Sequence, residues 1–152
     1  MSEDIKLDFE VELQEGQRMC WAAVAIAVAK FYDKETEYNQ IDLAKDVFGE
    51  KYDQFYSPKS ALSIYDNLSS ELNRSLTRAE ISEELMNGRP ITACMKHFVG
   101  WHLVVIYGIS QNKLLVADPL LGEVQYEIDA FTDTYETYYS WTHTYKTKSV
   151  TE

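Results

Sequence analysis

The residues best suited to nucleophilic or acid–base chemistry near neutral pH in this 152-residue chain are two cysteines, Cys20 and Cys94, and three histidines, His97, His102 and His143. Cys20 falls where the polar loop of residues 14–19 gives way to an alanine-rich run that reads as a helix. A thiol at a helix N-terminus faces unpaired backbone N–H groups and the positive end of the macrodipole, both of which favour the nucleophilic thiolate. The same position also suits an inert cysteine that simply opens a core helix, and position alone favours that second reading. Cys94 lies in a buried-strand pattern and reads as inert. There is no CxxC pair and no HExxH helix, so neither a metal nor a cofactor is expected. Nothing marks the two thiols as a disulfide framework.

The surroundings of Cys20 tip the balance toward chemistry. The run QEGQRMCWAA (residues 14–23) resembles the active-site helix entry of papain-like cysteine proteases, where Trp or Tyr follows the nucleophile. Trp21 keeps that pairing, whereas Arg18 and Met19 replace the family's preceding residues and the second cysteine of its signature is absent. In that family a glutamine six residues before the nucleophile donates its amide to the oxyanion, which points to Gln14. The runs GRPITAC (88–94), GWHLVVIYG (100–108) and LVADPLLG (115–122) resemble the half of short bacterial papain-like proteases in which a histidine opens one strand and the next ends in Asp-Pro. His102 follows Cys20 by 82 residues, whereas papain itself has about 130–150. The likeness is therefore to the compact bacterial branch, which includes plant-pathogen effector proteases and the peptidases that trim bacteriocin leaders. Residues 20–23, CWAA, favour the effector type, since leader peptidases usually carry Asp-Cys-Gly there.

The resemblance implies a resting thiolate–imidazolium pair of Cys20 and His102, with His102 as base and then acid, and Asp118 fixing its tautomer. Gln14 and the Cys20 backbone N–H would bind the tetrahedral oxyanion. Gln17 competes with Gln14 but reads better as a solvated loop residue. His97 reads as a surface turn histidine, and His143 as a structural histidine in an aromatic strand. Trp21 and Trp101 are expected to pack beside the site, and Trp141 is the candidate shield for the His102–Asp118 contact.

Those residues need elements to position them. Residues 5–13 alternate apolar and charged, the period of an extended strand. Helices are expected from Cys20 to about residue 32 and over residues 39–48, ending at Gly49. A third starts at Ser57 and Pro58 and carries Leu62, Tyr65 and Leu68 at helical spacing. A fourth starts at Thr77, where Thr77 and Glu80 form a capping box. Strands are expected over residues 90–95, 101–109, 114–118 and 123–128, with turns at residues 110–112 and 119–122, and a last aromatic strand over 135–145. Helices first and antiparallel strands afterwards make an α+β domain. It is read as one papain-like domain, residues 1–152. A mainly helical lobe (14–88) would carry the nucleophile, and a mainly antiparallel sheet lobe (89–146) His102 and Asp118.

Composition narrows the partners. With 14 Lys and Arg against 25 Asp and Glu, the formal charge is −11, which argues against a binder of nucleic-acid phosphates. The apolar run at residues 22–29 is far too short to cross a membrane, which takes about 20 residues. The acidic start, residues 1–4, lacks a secretory pattern, so the chain as written reads as cytoplasmic, with export into a host left open. A peptide or protein substrate is the expected partner, and the oligomeric state is undetermined. The reading is a cysteine peptidase acting through a Cys20 thioester. An acyl-transfer or deamidase enzyme on the same triad, or a catalytically silent peptide-binding module, are the alternatives.

Overall fold

The structure, a computed structural model, describes residues 4–98 and 100–151; the first three residues, read above for a secretory signal, lie outside these. Helix α1 (Cys20–Tyr32) is buried at every residue from 20 to 29. Its alanines keep the helix thin enough for neighbours to close on it from several sides. α2 (Gln40–Phe48) is capped by Asn39, whose side chain accepts from Asp42 N. α3 (Pro58–Ile64) starts with Ser57 as cap and proline in its first turn. α4 (Arg78–Met86) opens with the complete Thr77–Glu80 capping box. α5 (Ile128–Thr134) buries Phe131.

The strands are β1 (Ile5–Lys6), β2 (Leu68–Leu72), β3 (Ile91–His97), β4 (Gly100–Ser110), β5 (Lys113–Asp118), β6 (Gly122–Glu127) and β7 (Ser140–Thr147). They form one antiparallel sheet in the order β2-β7-β3-β4-β5-β6, with β1 pairing the far end of β4. β4 is buried from 102 to 109 because the sheet is covered on both faces. Leu103, Val105 and Tyr107 enter the core shared with α1, α2 and α3. Val104 and Ile106 enter a second core with Ile81 and Leu85 of α4 and Phe131 of α5. The fold is thus α+β, as the order of elements predicted.

Four stretches differ from the sequence expectation. Only Ile5 and Lys6 of the alternating segment pair as a strand; Phe9 then turns into the core, where its ring meets Phe31 and Tyr107. The β1 crossing needs Gly108, because a Cβ there would lie 2.5 Å from the Ile5 carbonyl oxygen. Leu68 does not extend the third helix: Asp66 adopts φ 59° and the chain reverses into β2. The stretch 123–128 splits, with β6 ending at Glu127 and Ile128 starting α5. Residues 135–139 are not strand, because Glu136 and Thr137 take positive φ in a tight turn before β7 begins at Ser140.

Candidate active site

Cys20 is the first residue of α1 and is only 2% exposed. The loop that delivers it is tied down from α2 and from the loop that follows α2. Gln40, the buried first residue of α2, accepts from Glu15 N (3.1 Å) and donates to Leu13 O (2.9 Å) and Glu12 Oε1 (2.9 Å). Asp53 accepts from Gln17 N (3.0 Å) and Arg18 N (2.8 Å), three and two residues before Cys20. Gly16 is needed at that clamp, since a Cβ would lie 2.6 Å from Met19 Sδ and 2.8 Å from Asp53 Oδ1.

His102 lies near the start of β4, opposite Met95 of β3, and Asp118 ends β5. The two meet with His102 Nε2 2.7 Å from Asp118 Oδ1, both side chains buried. Cys20 lies near enough to the imidazole to favour its charged form. Asp118 Oδ1 also accepts from Leu120 N (2.7 Å) and Leu121 N (3.3 Å), which closes the turn after Pro119. Asp118 Oδ2 accepts the phenol of Tyr135 at 2.5 Å.

The electrostatics follow from these contacts. Burial alone pushes the His102 imidazole down, but the hydrogen bonds and charges of Asp118 and Cys20 outweigh it and raise the group to about 9. Burial likewise works against the Asp118 carboxylate, yet the His102, Tyr135 and Leu120 donors hold it below the usual carboxylate range. Burial and the adjacent Asp118 charge push the Tyr135 phenol well up, so it stays a proton donor. Burial raises the Cys94 thiol to about 11, which suits an inert cysteine in β3.

Of the four residues singled out in the sequence, Cys20, His102 and Asp118 come together. Gln14 sits in the same neighbourhood, its backbone N donating to Pro119 O at 2.9 Å, beside Asp118. Its side chain, however, is turned into its own loop: Nε2 donates to Gly16 O (2.7 Å) and Gln17 O (3.1 Å), and Oε1 is buried without a hydrogen-bond partner. His97 closes β3 with its ring 4.5 Å from that of Tyr139. His143 Nδ1 is 2.8 Å from Thr142 Oγ1, in β7. Trp21 is wholly buried, its indole N–H donating to Gln54 O. Trp141 packs on Phe131 in the second core; the ring beside His102 is Tyr139, 6.3 Å away. A cavity of about 400 Å³ is walled by Phe55, Tyr56, Trp101 and Tyr145 together with Glu71 and Lys96; Cys20, His102, Asp118 and Gln14 are not among its lining residues.

Tyr135, Gln40 and Asp53 support the site without having been singled out for it. For Tyr135 a signal exists, because a buried tyrosine needs a partner for its hydroxyl. Gln40 and Asp53 reach the loop across 25 and 35 residues of sequence and carry no local pattern.

A buried cysteine at a helix start, facing a histidine–aspartate pair at the ends of two strands, is the arrangement of a papain-like peptidase. The family described as papain-like cysteine protease AvrRpt2 matches residues 1–136, and the chain belongs to that family. Nothing among curated proteins matches it. In structure it is similar to the peptidase domain of Streptococcus ComA, a bifunctional ABC transporter of a quorum-sensing pathway. That similarity has TM-score 0.70 at 18% identity over 93% of this chain and 98% of that one. A C39-like peptidase from Bacillus anthracis gives TM-score 0.64 at 15% identity, covering 97% of this chain and all of the other. A double-glycine-motif protease from an AMS/PCAT transporter, solved with its leader peptide, gives 0.59 at 15% identity over 97% and 100%. No helix among the described residues is long and apolar enough to cross a membrane.

Proposed function

We propose that this cysteine peptidase hydrolyses a peptide bond through a thioester on Cys20, with His102 as acid and base, Asp118 orienting His102, and Gln14 in the oxyanion hole. The observation that carries the reading is the buried Asp118–His102 hydrogen bond with Cys20, the first residue of α1, acting on the same imidazole. Its charge distribution suits an imidazolium beside a thiolate, because the His102 group is raised to about 9 and the carboxylate behind it stays ionised. The Cys20 sulfur attacks the substrate carbonyl, and the oxyanion is received by the Cys20 backbone N–H and the Gln14 amide. Gln14 reaches it by releasing Gln17 O, the longer of its two hydrogen bonds, while keeping Gly16 O. Removing one such donor typically costs about 10²–10³ in rate. His102 then gives its proton to the departing amine, and the C–N bond breaks to leave the thioester. As the neutral base, His102 takes a proton from water, whose oxygen attacks the thioester. The acid product leaves and the proton returns the pair to its resting state.

The substrate is a peptide or protein segment. The leader peptide held by one structural neighbour supports this class.

Iodoacetamide labelling of Cys20 at about pH 6, where a free thiol is almost wholly protonated, tests the pair. The wild type is expected to label at least tenfold faster than His102→Ala at that pH, with the two converging near pH 9. Equal rates at both pH values would remove the His102 assignment. Product masses from candidate peptides then separate the chemistries: cleavage yields two fragments, deamidation one slightly heavier chain, and a silent binding module neither.

A further inference from the structure

The Asp118 carboxylate is held asymmetrically. Oδ1 receives three donors, His102 Nε2 and the backbone N–H groups of Leu120 and Leu121, whereas Oδ2 receives only the Tyr135 phenol. Both residues are 1% exposed, so water does not substitute for that donor. The phenol is itself fixed in place. Tyr135 directly follows α5, with its ring 4.8 Å from Tyr126 of β6 and 5.1 Å from Phe131 of α5. The turn at Glu136 and Thr137 then returns the chain so that Tyr139 N bonds Tyr135 O.

We propose that Tyr135 is a positioning residue of this site, its phenol holding Asp118 Oδ2 so that Oδ1 stays directed at His102. A carboxylate anchored only at Oδ1 can turn about Cβ–Cγ, and each turn weakens its alignment with the imidazole plane. Anchored at both oxygens it cannot. α5 thus supplies the site with a contact from the sheet face opposite α1. The inference rests on the assignment of Asp118 as the group that orients His102, and goes beyond it by naming what orients Asp118. A tyrosine that merely fills the core would be replaceable by phenylalanine with no effect on Cys20, because the two side chains differ only in the hydroxyl.

The test compares Cys20 alkylation by iodoacetamide at about pH 6 and about pH 9, read by peptide mass so that Cys94 is counted separately. The ratio of the two rates reports the thiolate–imidazolium pair and cancels general effects on access. Tyr135→Phe is expected to lower the ratio about 3- to 10-fold, the scale of one ordinary hydrogen bond felt at one remove from the thiol, with the rate at the higher pH within about twofold of wild type. Asp118→Asn is the benchmark and is expected to lower it at least as far. If Asp118→Asn lowers the ratio and Tyr135→Phe leaves it at the wild-type value, Tyr135 is a core residue only and the proposal falls. If Asp118→Asn and His102→Ala also leave it unchanged, the orienting role of Asp118 fails, and the proposal falls with it. Should Tyr135→Phe fail to fold, chains with 4-aminophenylalanine or 4-methylphenylalanine at position 135 replace it, since these match in shape and differ in the donor. Only the amine is expected to retain the wild-type ratio; equal ratios would overturn the proposal.

Discussion

At the residue scale, His102 links the site to the stability of the whole fold. Its group is raised from 6.5 to about 9 when the chain folds, because the folded imidazolium is held by Asp118 and Cys20 more strongly than burial disfavours it. A raised pKa stabilises the folded state fully below the unfolded value of 6.5, and that contribution is lost as pH climbs through about 9. In Cys20→Ala, where no thiol titration offsets that of the imidazole and Asp118 still holds it, urea unfolding is expected to show stability falling by roughly 1–2 kcal/mol across that window, and a much flatter profile once His102→Gln is added. A Cys20→Ala profile as flat as that of the double variant would show that Asp118 does not hold the imidazolium. Three of the four candidate residues were legible in the sequence because each carries a local mark: a cysteine followed by tryptophan at a helix start, a histidine opening a strand, an aspartate before proline. The orientation of the Gln14 amide carried no such mark. It depends on which carbonyls the folded loop presents, and the loop presents those of Gly16 and Gln17.

At the element scale, the loop before α1 acts as one mechanical unit. Gln40 carries three of its ties, and truncation would leave Leu13 O and Glu15 N, both backbone groups, without the partners they now have. Both lie on exposed residues, so water can reach them and each lost bond costs only about 0.5–1.5 kcal/mol. Gln40→Ala is accordingly expected to lower stability by about 1–3 kcal/mol and to speed hydrogen exchange at Glu15 well beyond the change in global stability. Exchange at Glu15 that tracks global unfolding alone would mean the loop holds itself. Elements with strong local signals were legible: the capping box of α4, the proline-led start of α3, the two-residue hairpin where Gln111 and Asn112 take positive φ. β2, α5 and the late start of β7 were not. β2 is a strand only because β7 runs beside it, and α5 is a short helix between two reversals inside an aromatic-rich stretch that alternates like a strand.

At the scale of the whole molecule, the site lies where the start of α1 on one sheet face meets the strand ends that carry His102 and Asp118, with Tyr135 reaching Asp118 from α5 in the second core. The continuous apolar run of β4 is the sequence sign of a strand covered on both faces, but it cannot say which helices cover which face. The surface around this double core is acidic, with formal charge −11. Its ion pairs include Lys34–Asp8 and Arg74–Glu80, in which both lysine and arginine side chains are more than half exposed. Exposed pairs contribute only about 0–1 kcal/mol each and are screened by salt, whereas the mutual repulsion of excess carboxylates opposes compaction everywhere. Salt weakens both, and the second is the larger sum when negative charges so outnumber positive ones. The melting temperature at neutral pH is expected to rise by a few degrees as NaCl goes from about 20 mM to about 300 mM, where the screening length shortens from roughly 20 to roughly 6 Å. A fall over that range, measured by circular dichroism, would mean that local ion pairs outweigh the net charge. The excess carboxylates would then be spaced widely enough to repel little.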